Sequence, residues 1–145
     1  MNDIILVSGG FDPIHSGHID LIEDASKYGD VVVLLNSDAW LIQKKGKEFL
    51  PYGERKIIMS ALKNVIDVIS FDDSDQTCVE GIRKAIEKYP NQKIKFANGG
   101  DRSHNTTPSP EKAYCEQNKV EVLWGIGGHN KSNSSSWILK KWLQK

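Results

Sequence analysis

The feature of this chain that most constrains its fold is an alternation of two periodicities. Short apolar, mostly β-branched runs recur at Ile4 to Val7, Val31 to Leu35, Val65 to Phe71, Ile94 to Ala97 and Val120 to Ile126, bounded by Gly, Asn or Asp. Between the first two, His18, Leu21, Ile22, Ala25 and Tyr28 recur at helical spacing, and Ile57, Ile58, Ala61 and Leu62 do so before the third. Val79, Ile82, Ile86 and Tyr89 repeat the pattern before the fourth, and Trp137, Ile138, Trp142 and Leu143 predict a terminal helix. Strands buried on both faces and separated by helices imply parallel pairing through right-handed crossovers. The expected fold is therefore a single α/β, Rossmann-like doubly wound domain with a five-stranded parallel sheet, spanning residues 1–145. Ligands of such sheets bind at the carboxyl ends of the strands.

Charge narrows the partners. Lysines plus arginines number 19 and so do aspartates plus glutamates, so no overall field draws the chain to nucleic acid or an anionic membrane. Any phosphate binding must be local. Cys78 and Cys115 stand in no metal-ligand spacing and read as reduced intracellular thiols, with a bond between them left open by the sequence. The opening MNDIILVSGG is too short and too acidic for a signal peptide, and no stretch has the apolar length of a membrane span, so a cytoplasmic location is expected.

The most informative stretch is GGFDPIHSGH, residues 9–18, where the first strand hands over to the first helix. Gly9 and Gly10 would let backbone approach a ligand, and Gly17 opens a helix whose N–H groups can face an anion. The spacing fits neither the Walker loop nor the dinucleotide fingerprint. Histidines 15 and 18 lie three apart on a starting helix, so both imidazoles can address one point above the strand end. Taken singly, His18 also fits the buried stripe and His15 a loop; a zinc site lacks further ligands at suitable spacing.

GGFDPIHSGH resembles the HxGH signature of the nucleotidyltransferase superfamily, which includes glycerol-3-phosphate and phosphocholine cytidylyltransferases, heptose-phosphate nucleotidyltransferases and phosphopantetheine adenylyltransferases. Further motifs follow in the family's order: Asn36-Ser37-Asp38 after the second strand, the basic QKKGKEFLPYGERK, Asn98-Gly99-Gly100-Asp101 after the fourth strand, and Ser134-Ser135-Ser136 before the last helix. The resemblance implies attack of a substrate phosphate on the α-phosphorus of a nucleoside triphosphate, with magnesium accompanying the triphosphate and a homodimer as the assembly. It casts His15 and His18 as donors to the reacting phosphates, and Lys44, Lys45 and Arg55 as phosphate ligands. By the same resemblance Gly9, Gly10, Phe11, Asp12, Gly17, Gly100, Asp101, Lys131, Ser134, Ser135 and Ser136 bind nucleotide, while Asp12, Asn36, Asp38, Lys47 and Arg102 face the acceptor.

Plainer roles compete for several of these residues. The lysines could form a solvated charge run, Arg55 a helix-surface ion pair and the serines a helix N-cap, while Asp12 could simply hold its loop. Residues 125–134 depart from the Arg-Thr-x-Gly-Ile-Ser-Thr segment of the glycerol-phosphate and choline-phosphate enzymes: its arginine is missing, and Lys131 or His129 would take part of its role. In length and in its Lys-Lys-Gly loop the chain resembles the cytidylyl- and sugar-phosphate nucleotidyltransferases more than the phosphopantetheine adenylyltransferases, which implies CTP as the donor. The polar loop 101–108 on the ligand edge is expected to contribute to acceptor choice, a sugar or polyol phosphate. Adenylyl or guanylyl transfer, or a module on the same fold that binds a nucleotide without turning it over, are the alternatives.

Overall fold

The computed structural model describes residues 1–99, 109–127 and 134–144. Five strands, β1 (Ile4–Gly9), β2 (Asp30–Leu35), β3 (Val65–Ser70), β4 (Ile94–Gly99) and β5 (Glu121–Ile126), form one sheet in the order β3-β2-β1-β4-β5. All of its pairings are parallel. The helices are α1 (Ser16–Ser26), α2 (Asp38–Lys45), α3 (Tyr52–Ala61), α4 (Val79–Lys88), α5 (Pro110–Gln117) and α6 (Ser135–Leu143). This is the doubly wound α/β sheet that the alternation predicts.

Strand pleating divides the core in two. Ile4 and Leu6 of β1 join Val32, Leu34 and Phe96 on one face, beneath Ile82 and Ala85 of α4 and Cys115 of α5. Ile5 and Val7 join Val31, Val33 and Leu35 on the other, beneath Ile22 and Ala25 of α1 and Met59 of α3. Successive residues of β1 therefore face opposite helix layers, which is why Ile4 to Val7 is an unbroken apolar run. β1 pairs with β2 on one side and β4 on the other, so the chain leaves the sheet in opposite senses beside it. That switch point is where a ligand crevice forms.

Two helices lie outside the sequence expectation. The segment 38–45 reads as a polar turn and basic loop but is the helix α2, and residues 110–117 form α5. Each has eight residues and buries a single apolar side chain, Leu41 and Cys115, so neither carries the repeating stripe that reveals a longer helix. The two cysteines are free thiols, both buried. Among the described residues no helix is long and apolar enough to cross a membrane.

At the end of β3 away from the crevice, Asp67 receives Lys88 and the Tyr89 hydroxyl from the end of α4. Burial pushes its carboxyl up, but these two partners and the Val68 N–H outweigh it and hold the pKa below the ordinary 3.8. The stability this contributes is present in full above that value and lost as pH falls through the depressed one. Asp67→Asn should therefore lower the melting temperature at neutral pH. Melts between roughly pH 5 and pH 1 should show the gap to wild type closing toward the acid end, whereas a constant gap would contradict this account.

Candidate active site

The segment between β1 and α1 sets the site. Phe11 takes a left-handed backbone (φ 50°), which turns its ring inward against the edge of the His18 ring, centroids 4.8 Å apart. The chain then enters α1 through an arrangement made by the two histidines. His15 is the N-cap: its Nδ1 accepts from the Gly17 N–H at 3.0 Å, while the Nδ1 of His18 accepts from the His15 N–H at 3.2 Å. It is a capping box with imidazoles in place of the usual hydroxyl and carboxylate. The rings stack with centroids 3.8 Å apart.

This geometry has a chemical consequence. A ring nitrogen that accepts a hydrogen bond carries no proton, so each neutral imidazole carries its proton on Nε2. The His18 and Ile19 N–H groups bond to the His15 carbonyl at 3.0 and 3.3 Å. Three N–H groups of the first turn, from Gly17, His18 and Ile19, are thus already engaged. Of the N–H groups that the sequence expectation has facing an anion, that of Gly17 is spent here on His15 Nδ1.

The two glycines also serve the protein's own packing. A Cβ on Gly10 would come within 2.6 Å of Leu41 Cδ2, and one on Gly9 within 3.3 Å of the Phe11 ring. The space left by their missing side chains is filled by protein, and Gly10 is what lets α2 lie against the β1 turn. Whatever these glycines offer a ligand comes from their backbone.

Asp12 holds the basic segment. Its side chain is fully buried; Oδ2 accepts from the Phe49 N–H at 2.6 Å and Oδ1 from the Leu50 N–H at 2.7 Å. Lys45, in the last turn of α2, bonds to the Asp12 carbonyl and pairs with Oδ2 at 3.2 Å. Of the three roles open to Asp12 in the sequence, this structure displays the loop-holding one. Lys44 lies over the Trp40 ring, 4.8 Å from its centroid, and Lys47 is exposed just beyond the left-handed Gly46 cap.

Arg55 is the clearest departure from expectation. Its side chain has no exposed surface, and its guanidinium donates to four protein oxygens: the carbonyls of Leu50 (2.9 Å), Gly10 (3.0 Å) and Asn36 (2.8 Å), and Asp38 Oδ1 (2.6 Å). With four of five donors used, it acts here as a strut joining three turns of the carboxyl edge rather than as an open phosphate ligand. Asp38 is correspondingly its partner, and Asn36 is buried beneath it.

At the last helix, Ser134 Oγ accepts from the Trp137 N–H at 3.0 Å and serves as the N-cap of α6. Ser135 Oγ donates to the Pro13 carbonyl at 2.7 Å, tying α6 to the histidine segment; Ser136 is exposed. Gly100, Asp101, Arg102 and Lys131, with His129 and the polar loop 101–108, lie outside the described residues. The thiols offer no nucleophile. Burial, with Glu111 adding to it, pushes Cys78 up to about 12, and burial with Glu111 and Glu116 pushes Cys115 up to about 11.

Sequence reasoning passed over Asp73. It is 5% exposed and accepts from Asn36 Nδ2, the Ser37 N–H and Ser37 Oγ at 3.0, 2.8 and 2.7 Å. The available signal was an acid just after a strand on the ligand edge, masked by its acidic neighbours Asp72 and Asp75.

Comparisons with known proteins bear on the family and the fold. The sequence model of the cytidylyltransferase-like family matches residues 6–131, and the chain belongs to that family of nucleotidyltransferases. It is similar to the bifunctional protein HldE of Citrobacter koseri, 32% identical over 146 residues that cover 98% of this chain and 28% of that protein. The HldE of Geobacter metallireducens is 29% identical over 141 residues, 94% of this chain and 27% of that protein. The chain thus spans little more than a quarter of the length of these relatives. A lipopolysaccharide core biosynthesis protein from Thermoplasma volcanium shares the fold with a TM-score of 0.62 at 19% identity, covering 84% of this chain and 94% of that one. The nicotinic acid mononucleotide adenylyltransferase of Plasmodium falciparum does so with a TM-score of 0.54 at 16% identity, covering 97% and 83%.

Removing the Arg55 strut leaves three carbonyls and the Asp38 carboxylate short of a partner. Arg55→Ala should cost on the order of 3 kcal/mol in a urea melt, and Arg55→Lys should recover little of it because an ammonium cannot span four acceptors. A loss below about 0.5 kcal/mol would mean that the guanidinium is not a strut.

Proposed function

We propose that this chain transfers CMP from CTP to a small phosphorylated acceptor, a sugar or polyol phosphate, and releases pyrophosphate. The observation that carries the proposal is the histidine box, which uses both Nδ1 atoms internally and so sets both ring protons on Nε2. In the reaction an acceptor phosphate oxygen forms a bond to the α-phosphorus while the bond from that phosphorus to the bridging oxygen breaks, and pyrophosphate departs with the electron pair. A phosphate monoester has its second pKa near 6, about the level at which its oxygen is already anionic in neutral solution, so no general base is needed. What the protein must supply is in-line positioning and donors aimed at the growing charge. His18 is assigned to the α-phosphate and His15 to the bridging and outer phosphates. A neutral donor tautomer suits that task.

Lys44, Lys45 and Lys47 would supply the counter-charge. Lys45 is already held near the histidine segment by Asp12, and a triphosphate would compete with that carboxylate for it. Magnesium would enter with the triphosphate. Both Asp12 oxygens are engaged by backbone N–H groups, and among the described residues no group of three His, Cys, Asp or Glu side chains could hold a metal. The ion's ligands would then be phosphate oxygens and water. A cytoplasmic setting suits a user of nucleoside triphosphates with two free thiols, and a homodimer is proposed on resemblance alone.

The family description supports CTP. A second reading, ATP, is favoured by adenylyltransferases among the structures of similar fold. Pyrophosphate release should be followed with magnesium, each nucleoside triphosphate and a panel of phosphorylated sugars and polyols. Wild type should turn over at least one pair, and His18→Ala should lose ~10²- to 10³-fold in turnover, as expected when one well-placed donor is removed. Binding without turnover by any pair would make the chain a nucleotide sensor instead. In thermal-shift measurements CTP should stabilise more than ATP or GTP at equal concentration; equal shifts would sink the preference for CTP.

A further inference from the structure

We infer that Asp73 is a positioning residue for the triphosphate, acting through α2 on the lysines that face the phosphates; the inference rests on the reading above. Asp73 lies in the loop that follows β3, on the carboxyl edge of the sheet, and makes no contact with the histidines or lysines in any described hydrogen bond. Its carboxylate reaches 36 residues back along the chain. Oδ2 accepts from Asn36 Nδ2 and the Ser37 N–H, and Oδ1 from Ser37 Oγ. Ser37 Oγ in turn accepts from the Trp40 N–H at 3.1 Å and so caps α2. The Asn36 carbonyl accepts Arg55 at 2.8 Å. One buried charge therefore fixes the end of β2 and the start of α2, and reaches the Arg55 strut through Asn36.

The neighbouring acids do something different. Asp72 and Asp75 accept from the N–H groups of Ser74 and Thr77, two residues ahead, and shape only their own loop. Asp73 alone of the three points across the molecule. Three donors converge on it from two adjacent residues, a set that a single neutral oxygen could not satisfy equally well.

The lever explains why this matters for phosphates. An eight-residue helix is marginal by itself, and α2 buries only Leu41, so its direction depends on its few anchors: the Ser37 cap and the Asp38–Arg55 pair in its first turn, Leu41 against Gly10, and Lys45 on Asp12 at its end. At 1.5 Å per residue it is about 12 Å long, and a tilt of about 10° at the cap would move its far end by about 2 Å. Lys44 and Lys45 occupy that far end, and Lys47 follows it. Misplacement of about 1 Å in a positioning group can cost up to ~10²-fold.

The test uses the full chain with Asp73→Ala and Asp73→Asn, and with Asp67→Asn as a control at the opposite end of β3. Calorimetry with CTP and magnesium gives Kd, and pyrophosphate release gives KM and kcat, each at least about 10 °C below the variant's own melting temperature. Asp73→Ala should raise Kd and KM for the triphosphate about tenfold with a smaller change in kcat. Asp73→Asn, which keeps an oxygen for Asn36 and the Ser37 N–H, should fall between it and wild type, and Asp67→Asn should leave both constants unchanged. If folded Asp73→Ala binds within about twofold of wild type, or if the control shifts as far, the inference is overturned. Should Asp73→Ala fail to fold, Asp73→Asn decides by the same two constants. Binding by wild type without turnover would count against nucleotidyl transfer while Kd still judges Asp73.

Discussion

The site depends on one buried cation. Arg55 donates to carbonyls at 10, 36 and 50 and to the Asp38 carboxylate, and thereby joins the turn after β1, the turn after β2 and the segment before α3. Parallel strands deliver these turns to the same edge of the sheet, but nothing in strand pairing fixes how they lie relative to one another. A planar fork with five donors does so from a single position. A charge taken fully out of water is tolerable because its acceptors include a carboxylate and because four of its N–H groups are paired.

Around that strut the same device recurs with opposite sign. Asp12 gathers the N–H groups of Phe49 and Leu50 and the Lys45 ammonium, and Asp73 gathers the donors of Asn36 and Ser37. Three buried charges thus convert loops into a defined surface. The histidine box completes it by turning the entry to α1 into two imidazoles whose protons lie on Nε2. Phosphoryl-group chemistry asks mainly for fixed donors, and the carboxyl edge is built to hold donors still.

Much of the architecture was legible. Five apolar β-branched runs separated by helical periods lead to the parallel sheet, because strands covered on both faces must be apolar throughout. The family was legible too, since GGFDPIHSGH and the motifs after it stand in order along the chain. What the residues could not disclose was direction. Arg55 reads as a surface or ligand arginine because sequence does not say that four acceptors surround it. α2 was invisible because its only buried side chain is Leu41, and Asp73 because it sits among other acids. The serines show the same ambiguity: a cap and a phosphate cradle draw on the same N–H groups, and in the structure Ser134 takes the cap.

The central proposal is that His15 and His18, with each Nδ1 held by a backbone N–H, act as Nε2–H donors to the triphosphate. Long-range proton–nitrogen NMR of the histidine-labelled protein reads the tautomer of each ring directly, with and without CTP and magnesium. The account predicts that both rings are protonated on Nε2 in the free protein and that the Nε2 signals, not the Nδ1 signals, move most when the triphosphate binds. A proton on Nδ1 of either ring, or binding that leaves both Nε2 signals in place, would contradict it.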